Sequence, residues 1–516
     1  MLFNVDRQIQ KRARPAFPMR KAAALVALLA AQAAQAADWT FEPNIRARET
    51  YNDNIFLSGT NQKSDFVTEI SPGLRLHGGG SRLKVDANYA LQALTYLDNR
   101  SQDTILNYLN STATLEALKD FFFIDANGFI SQQSVSPFGP SPSESTSVNN
   151  NRFESRSLGL SPYVRGRLLS DLTYDARYRI RWNTSNAGGI SDSETTEWTG
   201  RIASPVRLFG WSAEYYQNTT DFHRQLSVYD STIYRGRLFY EPISSLRLQA
   251  IGGYEENNYA LTNTAGKTYG AGLSWKPNAR NSVEAEWEQR FFGPSYLLNA
   301  EHKTRLTTWS VNYSRNISTT PAQVLTLPPG NTAAFLNTIL ASRIPDDAQR
   351  IAAIQNFFSA TGLSPFLTNS LAFYSEQVFL LERLAVSGAF QGRRNLVSFT
   401  LYRSESSVVS QSQNIPVIDT LGLIGHIKQQ GAALGWNHQF SGLIALDGIL
   451  SRRYSKFLQP TTGDSVEDGL RVTLTRTLSP KTHASAGFAF TKFKSESTGF
   501  NSYDSATLFA GIAHRF

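Results

Sequence analysis

No cysteine occurs in the 516 residues, and methionine occurs only twice. An exported chain of this kind has neither a disulfide framework nor a thiolate metal site. Beyond an N-terminal leader, no segment approaches the roughly 20 apolar residues that a membrane helix needs, which excludes a helical inner-membrane protein. After residue 36 no run is rich in lysine or arginine, so nothing calls for a nucleic-acid partner. The seven histidines (His77, His223, His302, His426, His438, His483 and His514) stand in no metal-ligand spacing. Gly-rich His77–Ser81 (HGGGS) has no G-x-S-x-G elbow to serve and reads as a turn. No cofactor, metal site or catalytic residue is expected. An outer-membrane hydrolase stays as a weaker alternative, because a barrel can bring distant Ser, His and Asp residues together at a strand end.

The chain opens with a signal-peptide pattern. Arg20 and Lys21 precede the apolar Ala22–Ala31, and Ala34-Gln35-Ala36 is a small-x-small cleavage site. Residues 1–36 are therefore expected to be a signal peptide, with either Met1 or Met19 as the start. They hold six of the 50 Lys+Arg and one of the 42 Asp+Glu, so their removal lowers the net charge from +8 to +3. The basic balance belongs mostly to the leader.

What fills the rest of the chain is alternation. In Asp171–Asn183 (DLTYDARYRIRWN), Leu172, Tyr174, Ala176, Tyr178, Ile180 and Trp182 share one parity, and Arg177, Arg179 and Arg181 share the other. Period two places the two sets on opposite faces of a strand. The same pattern returns at Leu83–Leu91, Val283–Phe291 and Leu470–Thr475. We count about 20 to 22 such segments of roughly membrane-barrel length. Turns such as Glu241–Ser245 and Lys276–Arg280 interleave with longer polar loops such as Asn52–Ser64, Ser131–Asn151 and Ser185–Glu194. The expected fold is all-β: a transmembrane, antiparallel outer-membrane β-barrel over residues 37–516, with short turns in the periplasm.

Such a barrel turns its apolar face to lipid and its polar face to the lumen, because lipid leaves no backbone group unpaired. Trp182, Tyr51, Tyr254, Phe291 and Tyr454 then suit the interfacial aromatic girdles. The lumen-facing charged candidates are Arg177, Arg179, Arg181, Arg235, Arg237, Glu284, Glu286 and Glu288. Either the arginines form a basic ladder for an anionic solute, or Glu284, Glu286, Glu288, Asp171 and Asp175 neutralise them in a sealed lumen; near-balanced net charge favours pairing. The closing strand Ser505–Phe516 ends in an aromatic residue, Phe516, expected to serve as the signal read by the outer-membrane assembly machinery.

One stretch breaks the alternation. Residues 318–371 are expected to form a small non-barrel insert with a helical hairpin, Thr332–Arg343 and Asp346–Ser359. The alternation of connector lengths puts this insert on the periplasmic side, which requires Pro365–Phe390 to contain a further hairpin. It is either a surface decoration or a plug or docking element.

Several stretches together resemble the outer-membrane β-barrel family associated with exosortase and PEP-CTERM protein-sorting systems: Glu49–Leu57 (ETYNDNIFL), Arg290–Tyr296 (RFFGPSY), His302–Tyr313, Leu327–Gly330 and Gly392–Asn395. The resemblance implies a Gram-negative outer-membrane protein encoded with exopolysaccharide machinery. Its partners would be outer-membrane lipid, exopolysaccharide and periplasmic export components. It supplies no catalytic residues. The expected function is non-enzymatic support of exopolysaccharide or sorted-protein export and surface assembly, with a general or gated solute pore as the alternative.

Overall fold

The computed structural model describes residues 38–142, 144–168, 171–223, 227–259, 262–319, 374–410, 420–457, 463–496 and 500–516. Its strands are β1 (Asp38–Asn52), β2 (Asp65–Gly79), β3 (Leu83–Tyr96), β4 (Thr104–Leu118), β5 (Phe122–Ser134), β6 (Arg152–Leu168), β7 (Leu172–Ser185) and β8 (Ser193–Ala203). They continue as β9 (Phe209–Phe222), β10 (Ser227–Ile243), β11 (Leu246–Tyr259), β12 (Thr262–Asn278), β13 (Asn281–Arg290), β14 (Gly293–Lys303) and β15 (Thr307–Ser318). The circuit ends with β16 (Val378–Gln391), β17 (Asn395–Ser410), β18 (His426–Gln439), β19 (Ile444–Phe457), β20 (Asp464–Ser479), β21 (Thr482–Ser495) and β22 (Tyr503–Arg515). Each strand pairs antiparallel with its chain neighbours, and β1 pairs with β22, closing one 22-stranded barrel. This is the upper end of the expected count.

Burial follows the alternation. Along β1, Phe41 and Ile45 are exposed while Thr50 and Asn52 are fully buried. Along β10, Val228, Tyr234, Leu238 and Tyr240 are exposed while Tyr229, Ser231 and Ile233 are buried. Large apolar side chains that stay exposed around a closed sheet are a lipid-facing band, since a soluble barrel would put that face against a core. Closure pairs the edges that hydrocarbon would otherwise strand. The chain is therefore an outer-membrane β-barrel.

Two sequence readings need correction. The insert was expected in the periplasm, but β15 leaves and Tyr374–Gln377 re-enters at the end that carries the long loops. Chain 374–391 contributes a single strand, β16, and no extra hairpin. The reason is local: β13 and β14 are joined by just Phe291-Phe292, a tight outer-side link in which Gly293 takes φ +95°. Counting that link as the middle of one strand moves every later connection to the wrong side. Phe291 also leaves the girdle, packing instead on Tyr259 with ring centroids 5.8 Å apart. Residues 1–36 and both expected helices of the insert lie outside the described residues.

Candidate functional site

The lumen is crossed by chain. The described residues between β5 and β6, 135–142 and 144–151, do not stand over the membrane but fold inward. Val148 donates its backbone N–H to Ile55, Tyr96 donates its hydroxyl to the Thr146 carbonyl, and Asn52 donates to Ser147 Oγ, so one end is fixed on the β1–β3 wall. The other end reaches much further. Phe138 shares a buried cluster with Phe379 of β16 and Ile427 of β18, and its ring meets Phe457 of β19 at 3.9 Å. In a ring of 22 strands, β5 and β16 are eleven apart and so diametrically opposed. The segment is a chord across the barrel.

Charge holds that chord in place. Glu144, nearly fully buried, pairs with Arg48 of β1 and Arg471 of β20. The Ser141 N–H donates to Glu467 of β20 at 3.0 Å. Both arginines lie near the ring of Phe509, at 4.0 and 4.5 Å. Buried charges are tolerated only when paired and hydrogen-bonded, so the loop and the wall complete each other.

A second segment comes back from the opposite side. Tyr374–Gln377, immediately before β16, is buried. Ser191 donates its N–H to the Tyr374 hydroxyl at 2.8 Å, and Tyr229 of β10 donates to the Glu376 carbonyl at 2.9 Å. Phe153 of β6 meets the Tyr374 ring edge-on. Together the two chords narrow the passage.

The charged candidates lie on the face opposite the exposed apolar band. Arg177 pairs with Asp125 of β5 at 2.8 Å and Arg179 with Glu197 of β8 at 2.6 Å. Arg235 meets Glu288 at 2.7 Å, while Arg237 meets Glu286 at 2.6 Å and Glu214 at 3.3 Å. The Arg235–Glu288 and Arg237–Glu286 pairs span from β10 to β13, over Gly253, Gly270 and Gly272 of the strands between. A Cβ at Gly270 would lie 2.2 Å from the Trp287 carbonyl oxygen, so the close approach of β12 and β13 requires glycine there. Glu284 and Asp171 are exposed and Asp175 is half-buried, and none of the three makes an ion pair among the described residues. Missed in the sequence were Asp125, Glu197, Glu214 and the Arg290–Glu255 pair at 2.7 Å, whose partners sit on strands distant in sequence.

Arg181 differs from its neighbours. It has no carboxylate partner among the described residues, and its Nε makes no hydrogen bond. It lines a cavity of about 520 Å³ together with Tyr216, Tyr229, Tyr259, Glu197 and Arg235. That volume lies within the range of small-molecule sites. Among the described residues no group of His, Asp and Glu is placed to hold a metal. The described histidine rings contact Asp86, Asn281, Asn395, Glu405, Thr477 and Thr482, and none of these contacts is a serine hydroxyl. Phe516 is exposed and donates its backbone N–H to Pro43 at 2.9 Å, extending the β1–β22 seam by one bond.

No family model and no curated protein matches the chain. Solved outer-membrane barrels do align along nearly its whole length. OpdO of Pseudomonas aeruginosa is 10% identical, with 93% of this chain and 98% of that one covered and a TM-score of 0.34. The siderophore receptor PirA of the same organism is 10% identical over 92% and 80%, with a TM-score of 0.36. The FrpB iron transporter of Neisseria meningitidis is 8% identical over 94% and 84%, with a TM-score of 0.42. At such identities and scores they carry no argument about activity, and the outer-membrane barrel assignment stands on the chain's own closed sheet and its lipid-facing band.

Proposed function

We propose that this barrel is a constricted outer-membrane conduit for small polar solutes, with residues 135–151 as its constriction. One observation carries the reading: Glu144 is clamped between Arg48 and Arg471, tying a loop from β5 and β6 to the β1–β20 wall and laying chain across the lumen. A polar chord in a polar lumen sets the size and charge of what passes, whereas a sealed structural barrel has no use for a cavity lined by an unpaired arginine. Arg181 and its tyrosines supply the place where a solute, favourably an anion, pauses in transit. Conduction in planar bilayers tests this. The refolded protein should show small, discrete single-channel steps, and replacing residues 137–149 by a short Gly-Ser linker should raise the conductance several-fold. If neither form conducts, the conduit reading fails.

A second reading rests on the resemblance carried by Glu49–Leu57, Arg290–Tyr296 and Gly392–Asn395: support of exopolysaccharide or PEP-CTERM protein export and surface assembly. Within it the barrel works with periplasmic export components rather than with a diffusing solute. It predicts that deleting the chain removes polysaccharide or sorted protein from the cell surface while small-solute uptake stays unchanged.

A further inference from the structure

The lipid-facing surface is electrically lopsided at its outer end. On five consecutive strands the outward positions change from apolar to charged at about the same height: Leu401 then Arg403 on β17, Leu434 then Lys428 on β18, Leu450 then Arg452 and Lys456 on β19, Leu470 then Asp468 on β20, Phe490 then Lys492 and Lys494 on β21. The strand registers put these side chains side by side. Lys428 lies directly opposite Lys456, and Lys492 lies opposite Asp468.

The tier holds six cations, Arg403, Lys428, Arg452, Lys456, Lys492 and Lys494, against four carboxylates, Glu405, Asp464, Asp468 and Glu496, and Asp504 of β22 stands opposite Lys492. Glu405 is shared by Arg403 at 2.5 Å and Lys428 at 3.9 Å, and Asp468 takes Arg452 at 3.5 Å. Lys456, Lys492 and Lys494 have no ion pair among the described residues, and Lys492 and Lys494 are exposed. Like charges directly opposite on neighbouring strands, as Lys428 and Lys456 are, destabilise a sheet, and here Glu405 stands opposite Lys428 and Asp464 opposite Lys456 on the outer flanks of the pair. The far wall is the reverse: outward positions of β8 to β11 carry Glu194, Asp221, Asp230 and Glu256 and no lysine or arginine.

We infer that the outward face of β17 to β21 is a docking site for the phosphate groups of an outer-leaflet glycolipid. The short turns place this tier at the external surface, just above the hydrocarbon, where lipid headgroups lie. Acyl chains would rest on Leu401, Leu434, Leu450, Leu470 and Phe490, and phosphates would sit among Lys428, Lys456, Lys492 and Lys494. Basic side chains at a membrane surface attract anionic headgroups, and a lipid held at both ends is a better partner than a free phosphate. The site lies outside the barrel and is independent of the conduit reading.

Native mass spectrometry of the refolded full chain in detergent tests the site, with bisphosphorylated lipid A and the same lipid A stripped of phosphate as probes. The wild type should retain the phosphorylated lipid at least roughly tenfold better. The variant Lys428→Gln/Lys456→Gln/Lys492→Gln/Lys494→Gln should lose that preference while keeping the heat-modifiable electrophoretic mobility of a folded barrel. Lys267→Gln, on β12, should keep the preference. Equal retention of the two lipids by the wild type overturns the inference, as does undiminished preference in the quadruple variant. If that variant does not refold, the pair Lys492→Gln/Lys494→Gln, whose side chains are exposed, decides by the same criterion.

Discussion

Arginine is the residue whose role the lumen decides. Arg177, Arg179, Arg235, Arg237 and Arg290 each meet a carboxylate within 2.8 Å, and Arg181 meets none among the described residues. Removing a member of a buried pair strands its partner, whereas removing Arg181 strands nothing. Arg290→Gln leaves Glu255, 1% exposed, without its counter-charge and should cost about 3–5 kcal/mol. The fall would be read as a lowered denaturant midpoint for the folded electrophoretic form. Arg181→Gln should leave that midpoint unchanged and shift the reversal potential in a salt gradient toward cation preference. An unchanged potential would remove Arg181 from the solute path. The alternation in DLTYDARYRIRWN already put Arg181 on the inner face, but no feature of that strand says that Glu197 pairs with Arg179 and leaves Arg181 over.

Elements show where short motifs belong. Asn52, Asp53 and Asn54, inside the stretch ETYNDNIFL, fasten the seam of the barrel. Asp53 exchanges backbone and side-chain hydrogen bonds with Ala506, Asn54 donates to the Asp504 and Ser58 carbonyls, and Ser505 donates to Asn52. The first and last strands are thereby locked at their outer ends. Asn54→Ala removes these donors from a fully buried position and should cost about 1–3 kcal/mol, visible as faster proteolysis at the outer ends of β1 and β22. In Arg290–Tyr296, the Phe291 N–H donates to Glu255, and Gly293 supplies the positive φ of the two-residue link. At the β12–β13 contact, Gly270→Val would force backbone apart and should destabilise by about 1–3 kcal/mol, with loss of protected amides on β13 as its signature. The strand pattern announced these elements, but a sharp outer-side turn was hidden inside RFFGPSY because two aromatic residues look like strand.

At the scale of the whole molecule, two described segments cross the ring of strands and narrow its lumen. Residues 135–151 run from β5 to the wall of β16 to β20, and Tyr374–Gln377 meets the wall of β6 to β10. If the first chord sets the conductance, deleting Thr332–Ser359 should leave it nearly unchanged, since that chord is held by Arg48, Arg471 and Phe379, none of which the deletion removes. A large rise in conductance after that deletion, measured in the same bilayers, would instead make the insert the obstruction.

The amino-acid sequence by itself determined the class of fold, the face of each strand and the choice of lipid as outer solvent. Period-two alternation is a local property, and a strand's two faces follow from backbone geometry alone. Tertiary structure decided which carboxylate neutralises which arginine, at which end of the barrel the chain leaves β15 and re-enters before β16, and that the Ser/Pro/Asn-rich chain between β5 and β6 crosses the lumen. The basic tier on β17 to β21 also emerged there. Each of these depends on strand register and ring closure, which bring residues hundreds of positions apart into contact, as Glu144 and Arg471 are. No local pattern encodes that distance.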